Sequence, residues 1–150
     1  MEQDIAKVQK LLSVNVEALT LLSLLFIKEY HNVEGTQLIN ISSTAGYKLT
    51  SPVVVYSASK FYVSTFTENL ALHLEKNQSK IRAKVLAPSV TETEFQGKSV
   101  DYDENFEKYH TSDQMADLLI ELYDSNEVVG RVLKDFTFEL SGPVFTQETY

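Results

Sequence analysis

Residues 39–60 read INISSTAGYKLTSPVVVYSASK, and the rest of the chain is arranged around them. The stretch passes from a short apolar strand through a polar turn and a loop ending at Pro52 into the first turns of a helix. Tyr56 and Lys60 stand four residues apart, so on a helix they share one face, one above the other. An ammonium held beside a phenol favours the phenolate and draws its pKa down from about 10. Ser43, thirteen residues before the tyrosine, falls on the loop, where its hydroxyl is placed to bond the same reacting oxygen. A tyrosine acid/base, a lysine that tunes it and a serine that polarises the substrate form a set for carbonyl chemistry.

Tyr56-Ser57-Ala58-Ser59-Lys60 resembles the Tyr-x-x-x-Lys signature of the short-chain dehydrogenase/reductase family. Asn40-Ile41-Ser42-Ser43-Thr44-Ala45-Gly46 resembles the serine motif of the same family. Alone, the first pattern arises often by chance; both together at this spacing are specific. The resemblance implies an NADP- or NAD-dependent oxidoreductase acting on a small carbonyl or alcohol substrate. In it Tyr56 gives a proton to the carbonyl oxygen as hydride arrives, Lys60 also binds the nicotinamide ribose, and Ser43 polarises the carbonyl. Pro88-Ser89-Val90-Thr91-Glu92-Thr93 resembles the family's Pro-Gly-x-Val-x-Thr segment, which contacts the nicotinamide carboxamide. Pro88, Thr91 and Thr93 therefore join Tyr56 and Lys60 as cofactor-binding candidates. Ser89 stands where the family has glycine and Thr91 where it has an aliphatic residue; a serine is costly there if the backbone needs positive φ.

Outward from this centre, residues 2–30 read as one long helix. Ile5, Val8, Leu12, Leu19, Leu22 and Phe26 form one apolar stripe, and Leu11, Val14, Ala18, Leu21 and Leu25 a second beside it. So much apolar surface predicts burial on two sides. Residues 11–27 approach a membrane-spanning length, but Asn15 and Glu17 lie mid-segment and no small-residue cleavage site accompanies them, so no membrane is expected. Asn15 interrupts the first stripe, and a buried amide without partners costs on the order of 1–3 kcal/mol. As a residue it fits a polar group fixing register in a helix–helix seam. The resemblance implies more: an asparagine on this helix, 28 residues before Ser43, bends it and anchors a water in the proton relay.

Residues 37–42 and 81–87 read as parallel strands, residues 53–76 as a helix, and residues 128–133 and 136–140 as edge strands. Ser57, Ala58, Ser59 and Ser64 are small enough to let another helix or a cofactor approach. Thr111-Ser112-Asp113-Gln114 fits a capping box that opens a helix through Leu122, with Met115, Leu118 and Leu119 facing inward. Residues 91–110, polar with Phe95, Tyr102, Phe106 and Tyr109 interspersed, correspond to the family's substrate flap or to a solvated loop. The expected fold is α/β: a truncated Rossmann-like, three-layer arrangement with a mostly parallel sheet of three or four strands.

The chain has 150 residues, 43% hydrophobic and 23% charged, which suits a single soluble domain. A net charge of -8 without a basic stripe excludes nucleic acid as an expected partner. The absence of cysteine removes any disulfide framework and agrees with a cytoplasmic protein. His31, His73 and His110 form no cluster, so no metal is expected. The five glycines include no phosphate-cradling G-x-x-x-G-x-G turn, so residues 1–150 correspond to the catalytic half of the family's fold, with the dinucleotide-binding half absent. The alternative is a catalytically silent interaction module that forms homo-oligomers through its long helices and an open strand edge. Ser57-Ala58-Ser59-Lys60 also spells the S-x-x-K of acyl enzymes, but neither S-D-N, K-T-G nor G-x-S-x-G accompanies it.

Overall fold

In a computed structural model describing residues 4–49, 53–93 and 110–145, four strands form one sheet whose spatial order follows the chain. β1 (Gln37–Ile41), β2 (Arg82–Ala87) and β3 (Val129–Val132) are parallel, and β4 (Phe138–Ser141) returns antiparallel to β3. All four fall within a residue or two of the segments read from sequence. β2 is central and buried at every position but Arg82, as expected of a parallel strand covered on both faces.

Side-chain alternation along β2 distributes the helices. Ala83 packs with Ile81 against Ala71 and Leu74 of α3 (Val54–Lys76). Lys84 points the other way and donates to the carbonyls of Leu122, Tyr123 and Ser125 at 2.6, 3.0 and 2.7 Å, at the end of α4 (Ser112–Asp124). The sheet thus lies between helices, and the lysine satisfies carbonyls that a helix end leaves without partners. α4 opens as its sequence predicts: Thr111 Oγ1 accepts from Gln114 N–H at 3.2 Å, and Gln114 Oε1 from Thr111 N–H at 2.8 Å. Gly130 on β3 has no room for a side chain, since a Cβ would stand 2.7 Å from Phe138 Cζ.

The long N-terminal helix is broken in register rather than uniform. α1 (Ile5–Leu12) leads into a π-helical turn, Ser13–Ala18, and then α2 (Leu19–Tyr30). Asp4 caps its start by accepting from Ala6 N–H at 3.0 Å. The expected burial on two sides does not occur. Asn15, Thr20 and Ser23 make hydrogen bonds toward α3 and β1, Ile27 packs on the core cluster of Ala71, Leu74, Ile81 and Ala83, and Ser23 is the only buried residue of α2. Leu21, Leu22, Leu24 and Leu25 are 54%, 66%, 49% and 61% exposed, because no layer lies over that side of the helix among the described residues. By length and composition alone Ile5–Tyr30 is apolar enough to cross a membrane. Pro52, read as the start of α3, and the aromatics Phe95, Tyr102, Phe106 and Tyr109 lie outside the described residues.

Candidate active site

The site forms at the carboxyl ends of β1 and β2, where open α/β sheets hold their ligands. The ladder between the two strands continues past their ends: Ser42 N–H donates to Leu86 O at 2.7 Å and Thr44 N–H to Pro88 O at 2.9 Å. This brings Ser43 alongside Pro88. Ser43 is extended, and its Oγ accepts from Ala45 N–H at 3.1 Å, capping the 3₁₀ turn Thr44–Gly46.

That turn lies directly on α3, and small residues make this possible. Ser57 Oγ donates to Ala45 O at 2.8 Å, Ser42 Oγ donates to Lys60 O at 3.0 Å, and Ser42 and Ser64 hydroxyls pair at 2.7 Å. A Cβ on Gly46 would meet Ser42 Oγ at 2.5 Å and Lys60 O at 2.6 Å, so the glycine of the serine motif is required by close approach. Backbone crowding here holds Ser43 and the Tyr56–Lys60 turn of α3 in one frame.

Lys60 Nζ donates to Ile41 O at 3.0 Å, at the end of β1, and lies 5.7 Å from the centroid of the Tyr56 ring. Burial lowers the Lys60 pKa from its ordinary value. One of its three N–H donors is used by the backbone, which leaves two for a ligand. The structure therefore brings lysine and tyrosine together on one face, as the four-residue spacing predicts.

Asn15 sits within the π turn, and its Nδ2 donates to Ser59 Oγ at 3.0 Å; Ser59 in turn donates to Tyr56 O at 2.7 Å. Asn15 thus reaches the Tyr56–Lys60 face of α3 through Ser59 and the Tyr56 backbone, and the π turn is the local distortion of its helix. Thr91 Oγ1 donates to Ser89 O at 3.2 Å and Thr93 Oγ1 to Thr91 O at 3.5 Å, both local bonds. Thr91 also bridges His110, with Glu92 N–H donating to His110 O at 3.0 Å. Ser89 incurs no left-handed strain: among the described residues positive φ occurs at Gln78, Phe136 and Gly35. No group of acidic or histidine side chains suited to a metal ion occurs among the described residues. Ser42 and Ser59 were not singled out by sequence for these contacts, although their hydroxyls fall one residue from Ser43 and Lys60.

The family model described as short chain dehydrogenase matches residues 1–104. The chain belongs to that family. Dehydrogenase/reductase SDR family member 11 from Homo sapiens is 39% identical over 74 residues, covering 48% of this chain and 28% of that protein. The 15-hydroxyprostaglandin dehydrogenase (NAD(+)) of Rattus norvegicus is 32% identical over 96 residues, 64% of this chain and 36% of that protein. Among solved structures, the short-chain dehydrogenase from Sphingobium yanoikuyae in complex with NADPH superposes with a TM-score of 0.73 at 25% identity, over 86% of this chain and 50% of that one. The 3-ketoacyl-(acyl-carrier-protein) reductase from Brucella melitensis complexed with NADH gives 0.68 at 20% identity, over 81% and 52%, a likeness of fold. The matches to this short-chain dehydrogenase family member thus span about a third of its curated relatives and half of the solved structures.

Proposed function

We propose that this chain carries the carbonyl-reducing half of a short-chain oxidoreductase site, interconverting a carbonyl and an alcohol with NADP or NAD. The observation that carries the proposal is Lys60 Nζ set against the Tyr56 ring at the carboxyl end of β1, beside the turn that Ser43 heads. The Tyr56 hydroxyl gives its proton to the substrate oxygen in reduction and takes it back in oxidation. The Lys60 ammonium supports the negative charge that develops on the phenol oxygen. Ser43 accepts from the Ala45 amide, which orients its oxygen and directs its own O–H toward the carbonyl. Asn15 shapes this face through Ser59 from its π turn, and in the role that the family resemblance implies it would anchor a proton-relay water.

The residues present fit the nicotinamide half of the cofactor. Lys60 has two N–H donors beyond its bond to Ile41 O, suited to ribose hydroxyls, and Pro88, Thr91 and Thr93 follow β2 where the carboxamide would be held. When bound, the nicotinamide supplies or accepts the hydride. The same proposal includes a homo-oligomer: the exposed leucines of α2 suit a second copy's helix, and β1 has no strand on its outer edge among the described residues.

Titration of the 150-residue protein with NADPH and with NADH, followed by nicotinamide fluorescence, tests the proposal. Saturable binding that Lys60→Ala abolishes is expected. Failure of both cofactors to bind at millimolar concentration would overturn it for this chain and leave a family fold without its chemistry.

A further inference from the structure

Glu68 lies on α3, twelve residues beyond Tyr56, and is 1% exposed. A carboxylate so enclosed is tolerated only with donors around it. One oxygen accepts from the Tyr47 hydroxyl at 2.6 Å; the other accepts from the N–H groups of Val144 and Phe145 at 2.6 and 3.0 Å. These donors come from two segments far apart in the chain: Tyr47 closes the turn that Ser43 opens, and Val144 and Phe145 follow β4.

Ring contacts tie the same pieces together. Tyr47 stacks on Phe145 at 5.6 Å between centroids, and Phe61 of α3 meets Phe145 at 6.4 Å. The Arg131 guanidinium lies 5.7 Å from the Tyr47 ring and is held by Glu139 at 2.6 Å. Burial, followed by the Glu68 carboxylate, pushes the Tyr47 phenol well above its ordinary range, so it stays a proton donor. The turn is fastened along one face of α3: Ser57 holds Ala45, the Lys60 carbonyl and the Ser64 hydroxyl lie against Gly46, and Glu68 holds Tyr47.

We propose that Glu68 is a positioning residue that locks Tyr47, and with it the turn headed by Ser43, to the helix carrying Tyr56 and Lys60, using the segment after β4 as the third side of the lock. The consequence for chemistry rests on the carbonyl-reducing function proposed above; the lock does not. Small displacements of a polarising group carry large rate penalties, which is why such a turn is fixed from both ends.

Amide hydrogen exchange read by NMR in Tyr47→Phe, Glu68→Ala and Glu68→Gln tests it. Tyr47→Phe keeps the ring stack and removes the hydroxyl; exchange at residues 45–47 is expected to rise about tenfold or more, with the amides of β2 unchanged. Glu68→Ala adds Val144 and Phe145 to the affected amides. Glu68→Gln, whose remaining carbonyl oxygen still accepts from them, falls between wild type and Ala. In the same variants, turnover is expected to drop about tenfold in kcat with KM unchanged. Unchanged exchange at residues 45–47, or an equal rise throughout β2 and α3, overturns the lock. Should Glu68→Ala not fold, Tyr47→Phe decides by the same criteria. A wild type that binds no cofactor and turns nothing over counts against the proposed function, while the exchange pattern still decides the lock.

Discussion

Two lysines on neighbouring strands and helices show how one residue type is put to different uses. Lys84 is 1% exposed, and its three donors go to three carbonyls at the end of α4. Lys60 is only half-buried, gives one bond to Ile41 O and faces the Tyr56 ring. Burial lowers both pKa values, and that of Lys84 falls to about 8, with Arg82 adding to the effect and Asp124 and Glu127 opposing it. A shifted pKa therefore does not distinguish a lysine with donors open to a ligand from one fully engaged in the fold. The distinction lies in donors: Lys84 has none to spare, and Lys60 has two.

The largest expected effect falls at the Lys60 end. Tyr56→Phe keeps the ring beside the ammonium and removes the hydroxyl that carries the exchangeable proton. Turnover of a carbonyl substrate should fall by about 10²–10⁴-fold, the usual worth of a general acid, while nicotinamide binding persists. Steady-state kinetics with a parallel fluorescence titration would show this. Turnover unchanged in the variant would remove the proposed chemistry from this end of the sheet, and with it half of the comparison.

At the other lysine the expected loss is in stability. Lys84→Met preserves the apolar stem but takes the lysine donor from Ser125 O and leaves Leu122 O and Tyr123 O with the Ser125 hydroxyl and the Gln37 amide, a cost of about 1–3 kcal/mol measured by chemical denaturation. The pH dependence sharpens the assignment. With a folded pKa of about 8 against an ordinary 10.5, the unfolded chain binds more protons between those values. Wild-type stability should therefore gain from this group as pH rises through that window and lose it again as pH falls through about 8. The methionine variant lacks the group, so the gap between the two proteins should widen from pH 8 upward. A gap that narrows would mean that the three carbonyls hold the proton more strongly than burial expels it.

The difference between the two lysines was only half visible in the sequence. Lys60 stood out because Tyr56 and Ser43 accompany it at set intervals. Strand and helix positions followed from apolar periodicity, and the capping box at Thr111 from local chemistry, both of which act over a few residues. Lys84 inside an apolar strand carries no such local mark, since its partners lie 38 to 41 residues away. Glu68 likewise meets donors 76 and 77 residues on, and nothing near it in the chain announces them. The same limit affects the first helix. Its periodicity showed how much apolar surface it has, but its packing side is marked by Asn15, Thr20 and Ser23 finding partners on α3 and β1, with Ile27 on the core cluster. Family membership, resting on a model match over residues 1–104, was legible because the chemistry-bearing residues are close together in the chain.

A third lysine sets the lower bound of the comparison. Lys80 pairs with Glu34 at 2.7 Å just before β2, with side chains 46% and 80% exposed. Water already solvates both charges, so pairing gains little Coulomb energy and orders two long side chains. Lys80→Ala should cost less than about 0.5 kcal/mol in denaturant unfolding, and added salt should erase even that. Its ion pair is shorter than one of the three Lys84 bonds and equal in length to a second. If Lys80→Ala cost as much as Lys84→Met, distance would outrank desolvation, and the account of why Lys84 holds α4 while Lys60 is left open to a ligand would fail with it.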